Sequence, residues 1–186
     1  MIITEPCFAN RIPTVLDQAE CRIILKHYIP ELTRSQTINT DGTLNTDYAR
    51  TCSDGWLYPT TDNKWLFDKL WAEGMAANLS NYQFDITTLD ALQVLRYRPG
   101  QWFLPHFDNN GPSVRSRKLT LVVQLSDPAS YIGGGLIVFG SDGSRYRTKA
   151  QGDGMIFPSH ALHMAMPVLW GTRYALVAWF EGPPLR

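Results

Sequence analysis

The sequence predicts an α+β fold in which an antiparallel β-sandwich or jelly roll carries helices packed outside it. Two observations support this. Apolar residues recur at helical intervals in two segments before residue 89, and from about Leu89 the period shortens to two. Gly, Pro, Asn or Asp then separates most of the short apolar runs, as the turns of an antiparallel core require. With 186 residues the chain reads as one domain, residues 1–88 giving helical and loop support and 89–182 the β-rich core.

Thr14 to Leu32 (TVLDQAECRIILKHYIPEL) is expected to form the first helix, with Thr14 as N-cap, Asp17 three residues on, and Pro30 ending or kinking it. Residues 39–63 are polar and turn-rich and read as a long surface loop, a length that usually accompanies function or mobility. Thr61 or Asp62 is expected to cap a second amphipathic helix, KWLFDKLWAEGMAANL. Strands are expected at ALQVLRY, WFLPHFD, KLTLVVQL, GLIVFG, RYRTKA, GMIFP, LHMAMPV and RYALVAWF.

Composition argues against several classes of function. The formal net charge is zero, so nothing favours steered binding to nucleic acid or an anionic membrane. No apolar run approaches the ~20 residues of a spanning helix, and the opening MIITEPCFANRIPTV lacks the pattern of a secretory signal. Cys7, Cys21 and Cys52 form neither a disulfide framework nor a CxxC pair, which makes a reducing cytoplasm the expected compartment. Oligomeric state is not legible.

The chemistry starts at LPHFDN. On a strand, His106 and Asp108 share a face and aim into the sandwich, with Phe107 turned away. An imidazole and a carboxylate make up two of the three ligands of a facial triad of non-haem Fe(II) sites. His163, in LHMAMPV, is placed to be the third; His160 is the competing candidate. Read alone the pair is a weak signal, and a satisfied core histidine for His106 and a turn former before Asn109 for Asp108 fit it better. The later strand shifts the balance. Arg173 lies ten residues after His163 and shares parity with Ala175, Val177 and Trp179. A guanidinium on such a face is costly unless an anion meets it.

HFD, then GGGLIVF, then His163 and Arg173 ten residues apart together resemble the 2-oxoglutarate- and Fe(II)-dependent dioxygenases of the prolyl 4-hydroxylase type. QLSDPASYIGGGLIVFG and FPSHALHMAMPVLWGTRYALVAWF resemble PKHD-type bacterial hydroxylases, and TRYALVAWF is similar to the closing strand of oxygen-sensing prolyl hydroxylases. YARTCS is more distantly similar to an Arg-Thr-Ser stretch of prolyl 4-hydroxylases. One departure is Gly135, where PKHD-type proteins usually carry Glu.

The resemblance implies a double-stranded β-helix (jelly-roll) catalytic core. It implies His106, Asp108 and His163 as iron ligands and Arg173 holding the C5 carboxylate of 2-oxoglutarate. Tyr97 and Gln124 follow as further co-substrate contacts, and Arg50 and Trp179 as substrate contacts. The bland alternatives are a strand aromatic for Tyr97, an outward-facing Gln124, a solvated Arg50 and a core-filling Trp179. Cofactors implied are Fe(II), 2-oxoglutarate and O2, with ascorbate as an optional addition. The activity implied is hydroxylation of an unactivated C–H bond with release of succinate and CO2. Asp108 speaks for hydroxylation, since related halogenases replace this carboxylate with a small residue. A peptidyl proline is the expected substrate, entering past residues 39–63 and 109–118. A free amino acid or small metabolite, a non-catalytic cupin-like metal-binding module and a nucleic-acid demethylase are the alternatives. Phe103, Leu121, Val123, Leu136, Val138 and Val177 are candidate apolar walls, with generic core as the favoured alternative for the bare sequence.

Overall fold

The computed structural model describes residues 8–29, 31–38, 44–45 and 48–183. The strands pair into antiparallel sheets. The larger has seven strands in the order β1 (Asn10–Ile12), β12 (Gly154–Pro158), β8 (Arg117–Gln124), β15 (Arg173–Glu181), β6 (Leu92–Tyr97), β5 (Ser53–Leu57) and β2 (Thr33–Arg34). The smaller has four, β11 (Arg145–Tyr146), β10 (Leu136–Phe139), β13 (His163–Ala165) and β7 (Phe103–His106). Two further pairs are β14 (Val168–Gly171) with β9 (Tyr131–Gly133), and β3 (Thr37–Ile38) with β4 (Leu44–Asn45).

Strand alternation divides the apolar residues of the large sheet between two layers. Leu92, Val94, Leu119, Leu121, Val123 and Leu176 turn outward and share a buried cluster with Ile24 of α1 (Gln18–His27) and Leu66 and Leu70 of α2 (Lys64–Ala77). Leu95, Tyr97, Val122, Ala175 and Val177 turn inward and pack with Leu136, Val138 and Ala165 of the small sheet. The two faces thus have different jobs: the outer one buries helices, and the inner one meets the second sheet.

The helix boundaries differ from those expected. Thr14 is not the N-cap; it sits at φ 54°, and α1 begins after Asp17. The Asp17 carboxylate accepts from the Glu20 N–H, and the Glu20 carboxylate accepts from the Asp17 N–H. That reciprocal capping box satisfies two orphan donors, which a lone Thr cannot do. The helix closes at Tyr28, and Pro30 lies outside the described residues. Neither Thr61 nor Asp62 caps α2. Asn63 holds that position, and its side chain accepts from the Thr60 N–H, tying the preceding turn together.

The expected loop over 39–63 is only partly a loop. Residues 39–43 and 46–47 lie outside the described residues, but Ser53–Leu57 forms β5, paired in full with β6. SDGWL is a poor strand former by composition; five pairings to a buried strand override that local preference. The stretch 109–118 holds a short 3-10 turn at Pro112–Val114 before β8 begins at Arg117.

Helix α2 approaches the sheet closely at Gly74, where an added Cβ would collide with the ring of the fully buried Phe180. Gly74→Ala is therefore expected to cost about 1–3 kcal/mol through overpacking, despite alanine's better helix propensity. Urea denaturation should show a lower midpoint with an unchanged slope.

Candidate active site

The small sheet carries the imidazoles. His106 ends β7 and His163 opens β13, and the two are direct partners in the register of that pair. Asp108 lies beyond the end of β7, not on the strand as expected. Its backbone N–H donates to the Ser159 carbonyl at 2.9 Å, which fixes the turn and brings the carboxylate beside the rings. One ligand atom from each of His106, Asp108 and His163 lies within 4.8 Å of the others. His106 Nε2 is 3.6 Å from Asp108 Oδ1, and His163 Nε2 is 3.5 Å from Oδ2.

The outward-facing ring nitrogens are committed elsewhere. His106 Nδ1 lies 2.7 Å from the Leu104 carbonyl, and His163 Nδ1 lies 3.0 Å from the Ala161 carbonyl. A carbonyl only accepts, so each Nδ1 carries the proton and each Nε2 presents its lone pair to the gap beside Asp108. Two lone pairs and a carboxylate facing one another want a cation. This is the donor set of a 2-His-1-carboxylate site, and it suits Fe(II).

Electrostatics support the same protonation states. Burial pushes His163 down to about 4, against which the Asp108 charge works only in part. Burial pushes the Asp108 carboxyl up, but His163 and His106, once protonated in acid, and the Trp179 N–H outweigh it and hold it below the usual carboxylate range. Both groups are therefore ready to bind metal at neutral pH. His160, expected as the competing ligand, is exposed at the ring edge of Phe84 and stands outside the triad.

The large sheet supplies the other wall. A cavity of about 770 Å³ is lined by the three triad residues together with Arg173, Tyr97, Trp179 and Arg50. Arg173 is 1 % exposed; its guanidinium donates to the Gln124 side-chain oxygen at 3.0 and 2.7 Å and lies over the face of Tyr97. Register explains the grouping: Arg173 pairs with Tyr97 across β15–β6, and Ala175 with Gln124 across β15–β8. Gln124 is buried, not outward-facing, and its amide nitrogen has no partner among the described residues. A buried cation beside a buried, unspent N–H donor is an arrangement that a carboxylate ligand completes.

The glycine run has a place in this geometry. Gly134 sits at φ 65°, and a Cβ there would press on Val168 and on the Arg173 Cδ. The absent side chain leaves room for the arginine stem. Gly135, the departure from the PKHD pattern, faces open space.

Of the expected walls, Phe103, Leu136 and Val177 line the cavity. Leu121 and Val123 do not; they face the helices, and Val122 takes their place. On β8 the inward parity is Thr120, Val122 and Gln124, so a Gln124 that faces the site already excludes Leu121 and Val123. Val138 is buried between the sheets without being among the cavity-lining residues. Trp179 does line the cavity, and its indole N–H donates to Asp108 Oδ2 at 3.0 Å. Arg50 points into the cavity and donates to the Gln93 carbonyl oxygen at 3.0 Å. Thr120, Trp56, Asp54 and Arg117 also surround the site and were not expected from the sequence. Inward parity was the one available signal, and only for Thr120.

Residues 92–181, which hold all three triad residues and Arg173, match the family model described as the 2OG-Fe(II) oxygenase superfamily. Over these residues, just under half of the chain, the sequence is similar to that superfamily. A PKHD-type hydroxylase of Maricaulis maris is 39% identical over 92 residues, covering 50% of this chain and 42% of the relative. One from Synechococcus elongatus is 38% identical over 91 residues, covering 46% and 40%. The chain thus spans less than half the length of these curated relatives. The fold is shared over nearly the whole chain with a prolyl-4-hydroxylase of Pseudomonas putida (TM-score 0.69, 21% identity, 95% of this chain and 93% of that one). It is shared also with a Trichoplax adhaerens prolyl hydroxylase in complex with a hypoxia inducible factor peptide fragment (TM-score 0.77, 17% identity, 96% and 84%). That superfamily is named for Fe(II) and 2-oxoglutarate, the two groups for which this chain has a donor set and a buried cation.

The lowered His163 pKa sets a pH dependence for the metal-free chain. Between the ordinary value of 6.5 and about 4 the unfolded chain binds a proton that the folded chain refuses. Stability therefore falls as pH falls through that window, by at most about 3 kcal/mol. His160, also pushed down by burial, acts in the same sense. Urea melts of the metal-free chain from pH 7 to pH 4 should show this slope, and His163→Gln should remove most of it.

Proposed function

We propose that the chain is an Fe(II)- and 2-oxoglutarate-dependent dioxygenase that hydroxylates an unactivated C–H bond of a prolyl residue in a peptide or protein, releasing succinate and CO2. The supporting observation is the buried Arg173, which among the described residues is held by neutral groups and opens into the same cavity as two imidazole lone pairs and a carboxylate. When bound, iron with its keto acid supplies the oxidising chemistry. The chain does the rest. His106, Asp108 and His163 would hold the metal, with Asp108 offsetting one of its two charges. Arg173 and the Gln124 amide would hold the distal carboxylate of 2-oxoglutarate, with Tyr97 against them. Phe103, Leu136 and Val177 keep the reacting centre from bulk water.

The size of the cavity favours an extended substrate. A keto diacid of ten non-hydrogen atoms displaces fewer than about ten waters of ~30 Å³ each, so most of the 770 Å³ is left for substrate. Arg50, Asp54 and Gln93 on that wall offer both donors and acceptors, which suits a peptide backbone. The Trichoplax enzyme, similar in fold, is seen with a peptide fragment.

Succinate release should be screened over proline peptides, free amino acids and oligonucleotides. Stimulation by peptides is the expected result. Stimulation only by a free amino acid or an oligonucleotide rejects the peptidyl assignment, and no release with any of them rejects catalysis, leaving a metal-binding module. Asp108→Ala is expected to abolish turnover. Arg173→Ala leaves the co-substrate carboxylate unpaired, at a cost of roughly 3–5 kcal/mol. By calorimetry on the metal-loaded chain, 2-oxoglutarate affinity should fall on the order of 10²–10³-fold.

A further inference from the structure

The surroundings of Asp108 treat its two oxygens unequally. Oδ2 accepts from the Thr120 hydroxyl at 2.7 Å and from the Trp179 indole N–H at 3.0 Å. Its other neighbour, His163 Nε2 at 3.5 Å, carries a lone pair in the tautomer fixed above and donates nothing. Among the described residues, Oδ1 has His106 Nε2 as a polar neighbour at 3.6 Å, likewise a lone pair. One oxygen is saturated with donors, and the other is left to a cation.

The donors are themselves held. Thr120 is fully buried in the middle of β8, and its hydroxyl lies 3.0 Å from that of the equally buried Ser159. An ionised carboxylate only accepts, so the Thr120 proton goes to Asp108 and the Ser159 hydroxyl must be the donor to Thr120. The same Ser159 takes the Asp108 backbone N–H on its carbonyl, so one residue braces both ends of the ligand. The Trp179 ring is clamped too: the Arg117 guanidinium carbon lies 3.8 Å from its centre, and the Trp56 ring centroid 5.5 Å away.

We propose that Thr120 and Trp179 are positioning residues of the metal site: backed by Ser159, they reserve Oδ2 of Asp108 and leave Oδ1 as the single ligand atom this carboxylate offers. The inference rests on the iron site proposed above. It assigns a role to two residues that touch neither co-substrate nor reacting atoms through these bonds. Without them the carboxylate is free to swing or to chelate through both oxygens, and the site loses its set geometry.

Co(II) serves as the probe, because its visible bands report coordination geometry without turnover. Thr120→Val and Trp179→Phe keep the local shape and remove one donor each. Together they are expected to raise the apparent Co(II) Kd by about 10–100-fold and to change the band intensities, while Thr120→Ser, which retains the hydroxyl, restores both. A double variant with the affinity and spectrum of the parent chain overturns the proposal, even where its unfolding midpoint drops, because that drop alone marks a purely structural role. Failure of the parent chain to take up Co(II) overturns the iron site as well as this inference.

Discussion

Two imidazoles and one carboxylate, each with a free lone pair turned on the same small volume, form the constraint around which this molecule is organised. Such a set is unfavourable without a cation, since burial strips the carboxylate of water. The fold nevertheless holds it with care. Backbone carbonyls of Leu104 and Ala161 take the far ring protons, Ser159 pins the Asp108 turn, and Thr120 and Trp179 take up one carboxylate oxygen. That arrangement makes sense as a vessel for a metal and has no evident value for stability alone.

The two sheets divide the work. The four-stranded sheet brings His106 and His163 into register as direct partners. The seven-stranded sheet brings Arg173, Gln124 and Tyr97 together through its three central strands. Outside that sheet the helices bury its other face and add rigidity at a distance from the chemistry. A cation is called for on one side of the cavity and an anion on the other, and a chelating keto acid with a distal carboxylate is a molecule that bridges them.

Much of this was legible because period-two alternation converts sequence into geometry. The parity of Arg173, Ala175, Val177 and Trp179 places an arginine on an apolar face, and the resemblance to the prolyl 4-hydroxylase motif in the interval from His163 to Arg173 favours His163 over His160. What escaped reading were features set by tertiary contact. Asp108 leaves the strand and is aimed by Ser159, far away in sequence. β5 forms from SDGWL only because β6 lies open beside it. Trp179 reads as filler until its N–H is seen on Asp108, and Asp17 outcompetes Thr14 as a cap because Glu20 returns the hydrogen bond.

The central claim is that one cavity binds a divalent metal and a keto diacid interdependently. Isothermal titration of 2-oxoglutarate into the chain, with and without one equivalent of Mn(II) as a redox-silent stand-in for iron, tests it most directly. The account requires one 2-oxoglutarate per chain and much tighter binding when the metal is present, because chelation and the arginine act on the same molecule. Equal binding in both conditions, or none in either, would contradict it.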